Sequence, residues 1–176
     1  STFEVAPPSG LISSVDELDF QISQLPDLPL PTRVLMADPE YFDVEYVGNP
    51  HMEGNLGRVD RFTARIQWKQ VVESYEQLGI PVDVLPAVPL LPDLVFTANQ
   101  ALAMPPGILS EEPSAVISIM NSARRQAEIP EVVAFFAKAG IHLERMNPNI
   151  VPRFEGAGDV IWQPRRALLF GAVGPR

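Results

Sequence analysis

The chain has 176 residues, 46% of them hydrophobic and 20% charged, with a formal net charge of −9. Its length and apolar content suffice for one globular core and exclude an intrinsically disordered chain. The acidic balance repels phosphate backbones and no Lys/Arg stripe with interleaved aromatics occurs, which excludes nucleic acid as a partner and leaves a cationic small molecule compatible.

No run of about 18 apolar residues survives interruption by Pro, Asp or Arg, and the first residues lack a basic-then-apolar leader. The sequence therefore reads as a soluble, cytoplasmic protein without a membrane partner. There is no cysteine, so disulfides and thiolate metal sites are excluded, and only His51 and His142 could offer imidazole. No metal and no other cofactor is expected.

Residues 1–30 are rich in Pro, Ser and Asp with little periodicity, and are read as an N-terminal tail or wrapping segment. A first strand is predicted at Arg33–Ala37, closed by Asp38-Pro39, where proline pushes the preceding residue out of the helical region. A loop rich in Tyr, Gly and Asn follows, through Asn49-Pro50. Phe62, Ile66, Val72 and Tyr75 recur at helical spacing between Asp60, a natural N-cap, and Gly79, a natural stop. Ile80–Leu85 alternates as a strand.

The same plan returns. Pro130 suits a first helical turn, Val133, Phe136 and Ala137 form an apolar face, Gly140 stops the helix, and a strand is predicted at Ile141–Met146. The Gly-Ile pairs 79–80 and 140–141, and the segments Leu91-Pro92-Asp93 and Val151-Pro152-Arg153-Phe154-Glu155, recur at a period of roughly 60 residues. Each of the latter two is read as introducing a strand with a carboxylate near its start. Leu168-Leu169-Phe170 ends another strand. The implied unit is a βαβ-like module used at least twice, and modules around an axis would bring the repeated acids to one cavity.

Five segments carry a more specific signal: Tyr41 to Met52 (YFDVEYVGNPHM), Leu91 to Asn99 (LPDLVFTAN), Arg124 to Glu128 (RRQAE), Phe154 to Asp159 (FEGAGD) and the terminal Gly174-Pro175-Arg176. In this order they resemble the guanidino-group-modifying, or pentein, superfamily, over roughly residues 30 to 176. The likeness is strongest to the branch with arginine dihydrolases, with dimethylarginine hydrolases, arginine deiminases and amidinotransferases further off. The resemblance implies an α/β fold, a propeller of five ββαβ modules, of which this chain supplies about three. Residues 31–176 would be the N-terminal part of the catalytic domain.

The resemblance also assigns roles. Asp93, which alone would read as a turn cap, matches the acid that holds the substrate guanidinium through two parallel N–H bonds. Glu155, in a glycine-rich turn, matches the second catalytic carboxylate, beside the guanidinium and the catalytic histidine. Asn49 and Asn99 match substrate-contacting positions; related dimethylarginine hydrolases and deiminases have an acid where this chain has Asn99. Arg125 matches an arginine that binds the substrate α-carboxylate, Arg176 matches a second, and Arg124 reads as solvated surface. Asp159 supports the cavity or braces its turn. Phe96 supports the site and reads as core, with Trp68 and Trp162. His51 and His142 lie outside matching contexts and read as surface or core.

The implied reaction is thiol-dependent hydrolysis of the guanidino group of arginine, giving ornithine or citrulline and ammonia. The nucleophilic cysteine and the histidine follow the Gly-Pro-Arg turn in the family, so the 176 residues by themselves are expected to be inactive and incomplete without a C-terminal His/Cys segment; the partners considered are an arginine-like small molecule and a C-terminal companion chain or homo-oligomer. Asn99 favours arginine over methylated arginine. The alternatives are a dimethylarginine dimethylaminohydrolase, an amidinotransferase, or a non-catalytic binding protein for guanidino compounds.

Overall fold

The computed structural model describes residues 10–171. They form a mixed α/β structure in two units, Pro31–Asp159 and a smaller one from residues 10–30 with 160–171. Among the described residues, no helix is long and apolar enough to cross a membrane.

In the larger unit, β1 (Val34–Ala37) and β2 (Val82–Leu85) pair in parallel, with Val34 opposite Val82 and Ala37 opposite Leu85. Parallel neighbours need a crossover, which α1 (Arg61–Gln77) supplies. Asp60 caps α1 as its position predicts, Oδ1 accepting from the backbone N–H groups of Phe62 and Thr63 at 3.0 and 3.1 Å. Gly79 ends it in the left-handed region, φ +73°.

The second round is parallel again. β4 (Ser114–Ile117) and β5 (His142–Arg145) flank α2 (Ala123–Gln126) and α3 (Ile129–Lys138), whose first turn holds Pro130. β3 (Ala101–Met104) joins β4 antiparallel, which completes a ββαβ unit. The repeat inferred from Gly-Ile spacing is thus a repeat of real βαβ crossovers.

The core gathers Ala37, Leu85, Leu94 and Val132, with Leu35, Val88, Leu91, Phe135 and Phe136 packed around them. Leu94 belongs to a 3-10 turn at Pro92–Val95 rather than to a strand. This corrects the sequence reading. Pro92 fixes the first helical φ, the short apolar run does not distinguish strand from turn, and the strand is delayed to Ala101. Likewise Glu155 precedes a 3-10 turn at Gly156–Gly158, and β6 begins only at Val160.

In the smaller unit, β6 (Val160–Trp162) and β7 (Leu169–Gly171) form an antiparallel hairpin. The lead carries 3-10 turns at Val15–Glu17 and Ile22–Gln24. It is held to the hairpin loop by Leu28 N–H on the Arg165 carbonyl at 2.9 Å, Ala167 N–H on the Pro26 carbonyl at 2.9 Å, and an Arg166–Asp27 ion pair at 2.8 Å.

Candidate functional site

The Pro92–Val95 turn is anchored by Leu94 in the core, and this fixes its neighbour Asp93, which is only 5% exposed. The Tyr46 hydroxyl donates to Asp93 Oδ2 at 2.5 Å. Among the described residues no hydrogen bond reaches Oδ1. Burial first, and the bond to Asp93 second, push the Tyr46 phenol up to about 12, so it remains a donor.

Asp93 and Tyr46 line a cleft of about 540 Å³, together with Glu45, Leu90, Arg124 and Glu128 among others. Three of these are carboxylates against one lining arginine, a balance that favours a cation. Leu90, on the rim, is exposed and holds φ 70°, a left-handed conformation that costs a branched side chain about 1–3 kcal/mol. Arg124 stands with its guanidinium carbon 5.0 Å from the Tyr46 ring centroid and its Nη1 3.7 Å from Glu45 Oε2, its side chain 60% exposed. Arg124 is exposed, in keeping with its reading as solvated surface, and it stands at the wall of the cleft.

Arg125 behaves differently. Its side chain is 12% exposed and is not in the cleft lining. Nε and Nη2 donate to the Glu128 carboxylate at 3.1 Å each, and Nη1 donates to Asn99 Oδ1 at 3.1 Å. Nη2 also reaches the carbonyls of Asp93 and Phe96 at 3.4 Å. Glu128 Oε2 accepts in addition from Gln100 Nε2 at 2.6 Å. Burial raises the Glu128 carboxyl above its ordinary range, against the opposing pull of Arg125. Glu128 and Gln100 carry no role in the sequence reading, although Glu128 lies inside a quoted motif; two fully buried polar side chains are the signal that reveals them, and burial is not visible in sequence.

Glu155 is brought to the same neighbourhood from the far end of the unit. Ile119 and Phe154 exchange backbone hydrogen bonds at 2.8 and 2.9 Å, which lays the segment before Glu155 beside the end of β4. Glu155 Oε1 then accepts from Asn121 N–H at 3.0 Å, and its carbonyl accepts from Asn99 Nδ2 at 3.4 Å. Asp159 Oδ2 accepts from Glu155 N–H at 2.5 Å, so Asp159 braces the turn. Gly156 sits at φ +53° with the Ala98 carbonyl oxygen 2.6 Å from where a Cβ would stand. Only glycine fits.

Asp93, Asn99, Arg125 and Glu155 are therefore joined in one network. Asn49 is not part of it. It is exposed, outside the cleft lining, and its side chain caps the Pro50–Met52 turn through His51 N–H at 2.9 Å. Arg176 lies outside the described residues. Phe96 is 47% exposed, which corrects its reading as core; it meets Phe42 edge-on at 5.9 Å and lies under Arg125. His51 and His142 are both exposed, and His142 pairs with Glu144 at 2.9 Å.

No family model matches the chain. It is 35% identical over 144 residues, 82% of its length, to the bifunctional arginine dihydrolase/ornithine cyclodeaminase ArgZ of Synechocystis sp., and covers 19% of that protein. It is 38% identical over 141 residues to the N(G),N(G)-dimethylarginine dimethylaminohydrolase of Mycobacterium tuberculosis, spanning 80% of this chain and 42% of that one. A solved structure of the N-terminal domain of ArgZ with bound substrate matches at a TM-score of 0.64 and 33% identity, over 73% of this chain and 44% of the other. The chain belongs to the pentein superfamily. It spans less than half the length of these two curated relatives. Within the pentein motifs, the acid of LPD and the acid of FEGAGD are the ones that the fold joins through Asn99 and Arg125.

Proposed function

We propose that this chain forms the substrate-holding part of a thiol-dependent hydrolase that acts on the guanidino group of arginine. The observation that carries the reading is Asp93: a nearly buried carboxylate in an acidic cleft, with one oxygen oriented by Tyr46 and the other without a hydrogen bond among the described residues. A guanidinium completes such a carboxylate with parallel N–H bonds and is oriented by it. Glu155 is assigned the part of the second acid, to hold and relay a proton. Arg125, which reaches Asn99 and the Asp93 carbonyl, is assigned to the substrate α-carboxylate.

In the reaction, a thiolate attacks the guanidine carbon, a C–S bond forms, and protonation expels ammonia to leave a covalent thiouronium. Water adds to that carbon and the C–S bond breaks, giving citrulline; a second round on the ureido carbon expels the second ammonia, and hydrolysis of the resulting thiocarbamate frees the carbamate of ornithine, which loses carbon dioxide. These 176 residues contain no cysteine, so the thiol and its histidine come from polypeptide outside them, in the same chain or in a companion. The ββαβ units are assigned to an α/β-propeller of five, about three of them here. A cytoplasmic setting suits an enzyme whose thiol must stay reduced.

The test is to incubate the full natural polypeptide with L-arginine and quantify products. Ornithine with two ammonia for each arginine is the expected result. Citrulline with one ammonia would make it a deiminase, and unconsumed arginine would overturn the reading. A second reading, hydrolysis of dimethylarginine, is supported by the 38% identity to the mycobacterial relative; release of dimethylamine would select it.

A further inference from the structure

We propose that Leu90 is a specificity-determining residue of the cleft, a leucine held at the mouth to cover the aliphatic chain of a guanidino compound whose cationic end meets Asp93. The inference rests on the reading of the cleft as a guanidino-compound site.

Leu90 occupies a position that suits another residue. Leu91 N–H donates to the Val88 carbonyl at 3.2 Å, which closes a four-residue turn over 88–91. Pro89 stands second in this turn, and Leu90, at φ 70°, stands third. Proline followed by a left-handed residue is the type II pattern, whose third place calls for glycine or asparagine. A Cβ there crowds the backbone, and a leucine adds nothing to the turn itself. Among the described residues, Arg165 alone shares this positive φ without being glycine.

Packing does not account for the leucine either. Its side chain is left in the open, Leu90 being 88% exposed, whereas Val88 and Leu91 at the two ends of the turn pack against the core. Its surroundings in the cleft do account for it. Leu90 lines the cleft with the apolar Val88, Leu91 and Pro92, and the same lining includes the buried acid Asp93. Apolar surface beside a buried carboxylate matches a ligand that joins a methylene chain to a cation. Because so much of Leu90 is exposed, such a chain has leucine surface to cover.

The leucine is also fixed relative to the acid. Leu94 N–H donates to the Leu91 carbonyl at 3.2 Å, so the turn of Leu90 runs directly into the Pro92–Val95 turn of Asp93, and Leu91 and Leu94 seat both in the core. Leu90 and Asp93 are thus two fixed points, one for alkyl surface and one for charge.

The test uses the full natural polypeptide with three substitutions at this position. Thermal melting needs no ligand. Leu90→Gly removes the crowded Cβ and is expected to raise the melting temperature by about 2–4 °C, whereas Leu90→Ala keeps a Cβ in the left-handed region and is expected to bring no rise. In calorimetric titration, L-arginine should bind about tenfold more weakly to both Leu90→Gly and Leu90→Ala, and within about twofold of wild type to Leu90→Met, which restores the apolar cover. A firmer fold with a poorer site is a combination that a merely structural leucine would not give. Methylguanidine, which has the cation and no chain, should compete with arginine alike in all four proteins.

A Leu90→Gly protein that melts no higher, or that takes arginine as tightly as the wild type, overturns the proposal. Wild-type affinity in Leu90→Ala also overturns it, since the loss in Leu90→Gly would then come from a loosened turn. So does a Leu90→Met as weak as Leu90→Gly, or an equal loss of methylguanidine, which would put the defect at Asp93. A wild type that binds no arginine overturns the reading of the cleft itself, and is recognised because it fails before any substitution is made.

Discussion

Tyr46 and Asp93, 47 residues apart in the chain, share a 2.5 Å hydrogen bond that assigns the two oxygens of one carboxylate to different tasks. Oδ2 is held by the Tyr46 hydroxyl, and among the described residues no hydrogen bond reaches Oδ1. Tyr46→Phe is expected to lower arginine affinity about tenfold, the size of a charge-assisted hydrogen bond, and Asp93→Asn about 100-fold, since it removes the charge itself. Calorimetry on both variants checks the order, and a smaller effect for Asp93→Asn than for Tyr46→Phe would contradict it.

The same bond has an alkaline signature. The folded Tyr46 phenol titrates at about 12, above its ordinary value of 10.0. Its contribution to stability is complete below pH 10 and is lost as the pH rises toward 12. Melting curves of the wild type and Tyr46→Phe should converge across that window, and ultraviolet titration should find one tyrosine ionising late.

Glu128 gives the acid-side counterpart. Its folded carboxyl is raised above 4.5, chiefly by burial. A raised acid contributes stability that is present below the ordinary value and falls as pH climbs through the folded one. Relative to Glu128→Gln, the wild type should lose melting temperature as the pH rises from about 4.5, with a flat difference at higher pH. A difference that grows in favour of the wild type over that range would show that the ion pair with Arg125 outweighs burial.

Gly156→Ala tests the close approach of two loops. The added methyl would meet the Ala98 carbonyl oxygen at 2.6 Å on a backbone of φ +53°. A loss of about 2 kcal/mol or more is expected, and with it a fall of about 4–8 °C in melting temperature. An unchanged melt would mean that the loops separate freely.

Much of this fold is legible in the sequence for a definite reason. The helices announce themselves through caps and stops, Asp60 with Gly79 and Pro130 with Gly140, because those residues satisfy backbone groups locally. The Leu94–Phe96 run is misread as strand because four or five apolar residues carry no period, and its turn is decided by Leu94 meeting the core. β3 and β4 lie among small residues, prolines and glycines without alternation, and their pairing is non-local.

For the candidate site, Asp93 and Glu155 stand out in the sequence because they sit in recurring Pro- and Gly-marked segments. The different burial of Arg124 and Arg125 does not. Adjacent arginines look alike in sequence, and only the fold decides which one meets Glu128 in the interior and which one meets the Tyr46 face. Tyr46 was hidden for a similar reason, since its partner lies across the unit.

The contact of Gly156 with the Ala98 and Ala101 carbonyls, and of Ala157 N–H with the Ala98 oxygen at 2.9 Å, makes the loops of the two acids a single main-chain assembly. The spacing of the Asp93 and Glu155 loops is then a matter of main-chain contact that depends on glycine at 156 and on few other side chains. Variation at the cleft is left to its rim, at Leu90 and Arg124, where a new side chain changes the mouth while the two loops keep their distance.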